Sequence, residues 1–271
     1  MARMKLFSSY HARGTDRFLE GKRGKLKAKG TISLILFCML FSFAIQAKAE
    51  IPEYSCTWIN HFDTAGNLPD CDDDTDTTIS WLSSRGYAKR FVWSEQWVWN
   101  IDFDIYNSGY EGLDEADFHI HSGHGGVGTI LLANGTYVTG GDVFDHWDWD
   151  SEWVFLYTCL TLSDHSVWAG AMKTGTHGLF GFVSTCQGTY GALPDGFFRR
   201  AIDWSWTPVQ AYYGATRDNN SYPGSSTAIF ITDTYSQWYN DHMWYNDGGL
   251  STDSDEYPDD NTYWYATWDT Y

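Results

Sequence analysis

The sequence predicts an α/β fold, a three-layer sandwich built around a mostly parallel central sheet. Two observations predict it. Apolar runs of strand length alternate along the chain with segments that carry helix caps and helical spacing. The run at 152–159 (EWVFLYTC) is apolar almost throughout, the pattern of a central strand covered on both faces.

Taken in order, 55–62 (SCTWINHF) reads as the first strand. Residues 75–86 (TDTTISWLSSRG) read as a helix, with acidic residues ahead of it and Gly86 where a C-cap glycine belongs. Residues 89–94 (KRFVWS) and 116–123 (ADFHIHSG) are the second and third strands. Residues 128–141 (GTILLANGTYVTGG) form a hairpin, turned at Asn134-Gly135. After the central strand, 163–175 (SDHSVWAGAMKTG) reads as a helix with a Ser/Asp cap, an apolar set at Val167, Trp168, Ala171 and Met172, and a stop at Gly175. Residues 177–186 (HGLFGFVSTC) are another apolar strand. Two helices follow, LPDGFFRRAIDW and TPVQAYYGATRD, each with proline near its first turn. Residues 226–234 (STAIFITDT) are the last strand, and the aromatic tail covers a face or forms an edge hairpin.

The first 49 residues read as a signal peptide. A basic stretch (GKRGKLKAKG) precedes the apolar run 31–45, and Ala47 and Ala49 make an A-x-A cleavage pattern. Residues 50–271 are then one domain, secreted once the leader is removed. Contact with a membrane is expected only through a leader left uncleaved. The whole chain carries a net −18, but residues 50–271 hold seven basic against 33 acidic residues, a net of −26. Such a surface repels phosphates and argues against a nucleic-acid partner; it suits an exported soluble protein or cationic partners.

Four cysteines remain after the leader: Cys56, Cys71, Cys159 and Cys186. Export permits disulfides. Cys56 and Cys71 flank a short polar loop and are the expected pair; Cys159 and Cys186 either pair with each other or stay free. The acidic run 70–78 (DCDDDTDTT) is an acidic helix start, with structural calcium as the alternative. The chemistry expected of the fold requires no cofactor.

Three histidines crowd the third strand and its exit: His119, His121 and His124. In parallel sheets the chemistry sits at the carboxyl ends of the strands. That rule places His124 and Cys159 on one edge of the sheet. An imidazole and a helix N-terminus near a thiol favour the thiolate, the nucleophilic form. The amides of Gly125 and Cys159 are the expected oxyanion donors. His165 and His177 are nearer Cys159 in sequence but lack the glycines that follow His124. Asp164 either orients an imidazole or caps a helix. The alternative for the cluster is zinc held by His119, His121 and His124. That set resembles the H-x-H-x-D-H of metallo-β-lactamase-fold hydrolases, with Gly123 where the aspartate would stand.

The stretches FHIHSGHG and WVFLYTC, within residues 115–185, resemble the two signatures of caspase-like cysteine peptidases: caspases, gingipains, legumains and clostripain. The resemblance implies a caspase-like sandwich, His124 as the catalytic histidine, Cys159 as the nucleophile and Gly125 as the oxyanion glycine. It implies a secreted cysteine peptidase acting on a peptide or protein substrate. The family has Ala, Ser or Gly before the nucleophile, and Thr158 stands there in this chain. The alternatives are an inactive binding or structural module on the same fold and a zinc hydrolase using the histidine cluster.

Overall fold

Among the described residues eleven strands form: β1 (Lys5–Ser8), β2 (Glu53–Trp58), β3 (Ala88–Ser94), β4 (Phe118–Ser122), β5 (Gly125–Gly126), β6 (Thr129–Leu131), β7 (Tyr137–Thr139), β8 (Trp153–Tyr157), β9 (Gly178–Phe182), β10 (Ser226–Thr232) and β11 (Trp264–Thr270); the sequence pattern predicts no strand at β1 or β5. The computed structural model describes residues 5–8, 51–105, 112–147, 151–172, 176–188, 190–219, 226–232, 241–243 and 263–270. The run expected as a signal peptide, its expected cleavage pattern and Gly175 lie outside these residues. Among the described residues no helix is long and apolar enough to cross a membrane.

Eight strands make one sheet in the order β1-β11-β10-β9-β8-β4-β2-β3. From β3 to β9 the neighbours are parallel, and β10, β11 and β1 extend the sheet antiparallel. The tail residues 264–270 thus become a strand on β10. Every residue of β4, β8 and β9 is buried, so both faces of the central sheet are covered. Alternate side chains feed two cores. Phe118, Phe155 and Phe180 point into one, while Val154, Leu156 and Leu179 point into the other.

Three helices cover the first face: α1 (Cys71–Ser84), α3 (Ala192–Phe198, continuing as a π turn over Arg199–Asp203) and α4 (Pro208–Asn219). The acidic run falls inside the first turn of α1, at Asp72–Asp74, where the helix dipole favours it. Gly86 ends α1 at φ +92°, a conformation glycine adopts at no steric cost.

The opposite face departs from the expected helical layer. It carries 3₁₀ turns, the short helix α2 (His165–Trp168) and a separate sheet β5-β6-β7. The segment expected as a helix over 163–175 breaks into two 3₁₀ turns around four α-helical residues. Packing overrides its helical pattern. Trp168 is fully buried against Trp147, its indole N–H donates to the Gly128 carbonyl at 3.1 Å, and its backbone abuts Gly140. The β6–β7 hairpin forms as expected, but with a three-residue loop rather than two. The Leu132 N–H donates to the Thr136 carbonyl (2.9 Å), with Gly135 at φ +83°.

Candidate active site

β4 and β8 are parallel neighbours with Ser122 opposite Tyr157, so the chain leaves both strands at the same edge. His124 follows β4 by two residues, and Cys159 follows β8 by two. The two exits are bound together. The Gly128 N–H donates to the Leu160 carbonyl at 3.2 Å, and the Thr161 hydroxyl donates to the Thr129 carbonyl at 2.8 Å while accepting from Thr158 at 2.6 Å. Leu160, at φ +61°, makes the tight turn that places Cys159 at the rim. Gly125 sits directly on this turn. A Cβ there would meet the Cys159 carbonyl and the Thr161 hydroxyl at 2.3 Å. Gly125→Ala is therefore expected to destabilise the fold by about 1–3 kcal/mol and to separate the two exits, read as a lowered unfolding midpoint together with slowed thiol labelling.

His124 is half-buried and tilted against Phe62, with ring centroids 4.7 Å apart. Its Nε2–H donates to the Gly66 carbonyl at 2.6 Å. A carbonyl only accepts, so this bond fixes the tautomer of the neutral ring and leaves Nδ1 as the nitrogen free to exchange a proton. The loop bearing Gly66 is itself held. Asn67 accepts the Phe62 N–H, the Leu68 N–H donates to the Asn60 carbonyl, and the Asn60 side chain links the Cys71 N–H to Asp72.

Cys159 lies beside Cys186, which follows β9. Their sulfurs are 3.4 Å apart, and the Cys186 N–H donates to the Cys159 sulfur at 3.1 Å. The side-chain hydrogen bond from Cys186 pulls the Cys159 thiol down to about 6, burial opposes it, and the Cys186 amide adds to the pull. Donating that bond, together with burial, pushes Cys186 well above an ordinary thiol. A protonated Cys159 is within reach of the Cys186 carbonyl, at 3.3 Å. A depressed pKa keeps the thiolate above pH about 6 and loses it below. Alkylation of Cys159 by iodoacetamide is expected to rise through that pH rather than near the free-thiol value of about 8.5. Cys186→Ala should move the midpoint back up.

The expected Cys56–Cys71 disulfide is a correction. All four described cysteines are free. Cys56 is fully buried in the middle of β2, in the core under the helices, and Cys71 opens α1, where its sulfur interacts with Ser122. The close sulfur pair is Cys159 with Cys186.

His119 and His121 are fully buried in the core. His119 contacts the Ser55 and Thr57 hydroxyls at 2.7 and 3.3 Å, His121 contacts Thr57 at 2.9 Å, and both meet the edge of Phe103. Burial lowers the pKa of both rings, that of His121 to about 3, so both are neutral. The zinc set is thus not assembled: His124 alone of the three reaches the cleft, and among the described residues no group of three His, Cys, Asp or Glu is placed to hold a metal. His165 packs on Tyr263 and Tyr265, and His177 pairs with Asp241 at 3.4 Å. Asp164 accepts from the Ser166 hydroxyl and makes no side-chain cap.

His124, Cys159 and Cys186 line one cleft of about 340 Å³, together with Asp70, Tyr157 and Gly188. Gly66 left no signal in the sequence, because its contribution is a backbone carbonyl. Asp70 stood in the acidic run, with nothing to mark it off from its neighbours.

Residues 56–268 match a protein-family model described as a domain of unknown function, DUF6345. The chain belongs to the DUF6345 family. The DUF6345 domain runs from the middle of β2 into β11, so it contains the whole cleft. No curated protein matches the chain. Among solved structures, one titled "structure of pro-sf-caspase-1" is similar over 40% of this chain and 46% of its own, at 15% identity and a TM-score of 0.32. The chain therefore spans less than half the length of that protein, and a likeness this loose identifies neither fold family nor activity.

Proposed function

We propose that this DUF6345 domain is a cysteine peptidase of caspase-like fold, exported from the cell, that hydrolyses peptide bonds through Cys159 and His124. One observation carries the reading: His124 and a thiol shifted toward its thiolate leave adjacent parallel strands at one edge and line one cleft. A thiolate and an imidazole able to pass a proton are the two parts acyl transfer needs.

In the reaction, the Cys159 thiolate attacks the scissile carbonyl. A C–S bond forms, and the carbonyl π electrons move onto oxygen. The Gly125 and Cys159 amides stabilise that oxyanion. As the C–N bond breaks, His124 delivers the proton on Nδ1 to the departing amine. Water then attacks the thioester while giving its proton to Nδ1. The C–S bond breaks, the acid leaves, and the thiolate and the protonated imidazole return. The Gly66 carbonyl holds the ring in register throughout, because Nε2–H stays donated.

The test is labelling of the full chain with an electrophilic peptidyl ketone, the adduct being located by mass spectrometry. Modification confined to Cys159 and dependent on His124 is the expected result. A Cys159 that such reagents never modify sinks the peptidase reading.

A second reading is a binding module without activity. The 3.4 Å approach of Cys186 favours it, since a disulfide oxidant of an exporting compartment, by thiol–disulfide exchange, would take two electrons and both thiol protons from the pair, close a Cys159–Cys186 disulfide and remove the nucleophile. Thiol counting on protein isolated without reductant distinguishes the two.

A further inference from the structure

The cleft holds a carboxylate that the proposed chemistry does not use. Asp70 precedes α1, is 7% exposed, and lines the same cleft as Cys159 and His124. Its Oδ1 is buried and has no hydrogen-bond partner among the described residues. Gly188, on the segment after Cys186, makes the room. A Cβ there would stand 2.3 Å from Asp70 Oδ2, so a side chain at 188 would push the carboxylate out of its present position. The other acid of the cleft, Asp74, is engaged: its oxygens accept from the Ser122 hydroxyl (3.1 Å) and the Gly191 N–H (2.9 Å). Among the described residues no lysine or arginine lines the cleft. Burying a carboxylate without a counter-charge or full hydrogen bonding is costly, and a cationic donor from outside would relieve that cost.

We infer that Asp70 forms the base of a subsite for a cationic side chain, so that the substrate residue on the acyl side of the scissile bond is arginine or lysine. The inference rests on the peptidase reading for its placement at that residue. The cation binding itself rests only on the carboxylate and the cleft. At about 340 Å³ the cleft lies at the small end of the ~300–1,000 Å³ range of ligand sites, a size suited to one side chain rather than a large ligand. Burial, with the negative neighbours Asp73 and Asp72, raises the Asp70 pKa. A guanidinium or ammonium group would act in the opposite direction, so that binding and ionisation reinforce each other.

The experiment compares peptidyl ketones bearing Arg, Lys, Leu, Asn or Asp beside the reactive carbonyl, on the full chain and on Asp70→Asn. In parallel, agmatine is tested for protection of Cys159 against iodoacetamide. The expected result is labelling by the Arg and Lys reagents about 10–100-fold faster than by Leu, the scale of one hydrogen-bonded charge pair. The ratio should fall toward unity in Asp70→Asn. Equal labelling of Cys159 by all five reagents, or a preference for Asn or Asp, overturns the cationic subsite and leaves the peptidase standing. No peptidyl labelling, but agmatine protection that Asp70→Asn abolishes, keeps the subsite and overturns the peptidase. Neither labelling nor protection overturns both. The wild-type ratio decides the matter even if the variant fails to fold.

Discussion

Replacing His124 with alanine is expected to slow labelling of Cys159 by the peptidyl ketone by about 10²–10⁴-fold, the usual contribution of a positioned acid–base group. The effect should be confined to reactions in which a proton must move. The thiolate itself is held by Cys186, through its side chain and its amide, and His124 is not among the groups that shift it. Loss of peptidyl labelling while simple alkylation persists would therefore assign His124 to proton transfer. Equal loss of both would mean that the substitution had disturbed the turn bearing Cys159. Unchanged peptidyl labelling would remove His124 from the reaction altogether. The Gly66 bond gives a second reading of the same variant: without the imidazole that carbonyl loses its donor, and the loop at 59–70 should become more accessible to hydrogen exchange.

The largest loss of stability is expected from Phe155→Ala, at about 3–5 kcal/mol. Phe155 occupies the centre of β8, is 1% exposed, and meets Phe180, Phe197 and Tyr212 at ring-centroid distances of 5.4, 5.7 and 5.2 Å. Those partners come from β9, α3 and α4, so the cavity would open where the sheet joins the helical layer. Urea denaturation measures it as a lower midpoint with the slope retained. A loss under about 1 kcal/mol would mean that the aromatic cluster collapses into the space. Because β8 leads directly to Cys159, labelling should fail in parallel with the fold and not ahead of it.

The central strands were legible because apolar composition, length and flanking turns agreed in them. β4, β8 and β9 are buried along their whole length; β8 and β9 are apolar or glycine throughout, while β4 buries His119 and His121 among its apolar residues. The placement of His124 and Cys159 at one edge of the sheet was legible for the same reason, since it needs only two strand ends and parallel pairing. What stayed hidden depended on contacts remote in sequence. The 163–175 segment has helical spacing, yet Trp168 is anchored through Gly128 and Trp147, and the backbone follows the indole. Cys56 and Cys71 are near in sequence but built into different elements, whereas Cys159 and Cys186 meet because β8 and β9 are neighbours. Asp70 stood among similar acids, and only the folded chain separates it from Asp74, whose oxygens are taken.

The bond from His124 to Gly66 has an evolutionary consequence. The acceptor is a main-chain carbonyl, which every amino acid possesses, so no exchange at position 66 deletes it. A Cβ added to Gly66 would meet nothing within 4 Å, so even bulkier residues fit there. The orientation of the imidazole is thus insulated from point mutation at its own partner. Drift can erode it only indirectly, through Asn60 and Asn67, whose side chains give the loop its shape. Among homologous chains, position 66 is expected to vary freely while those two asparagines persist wherever the histidine does.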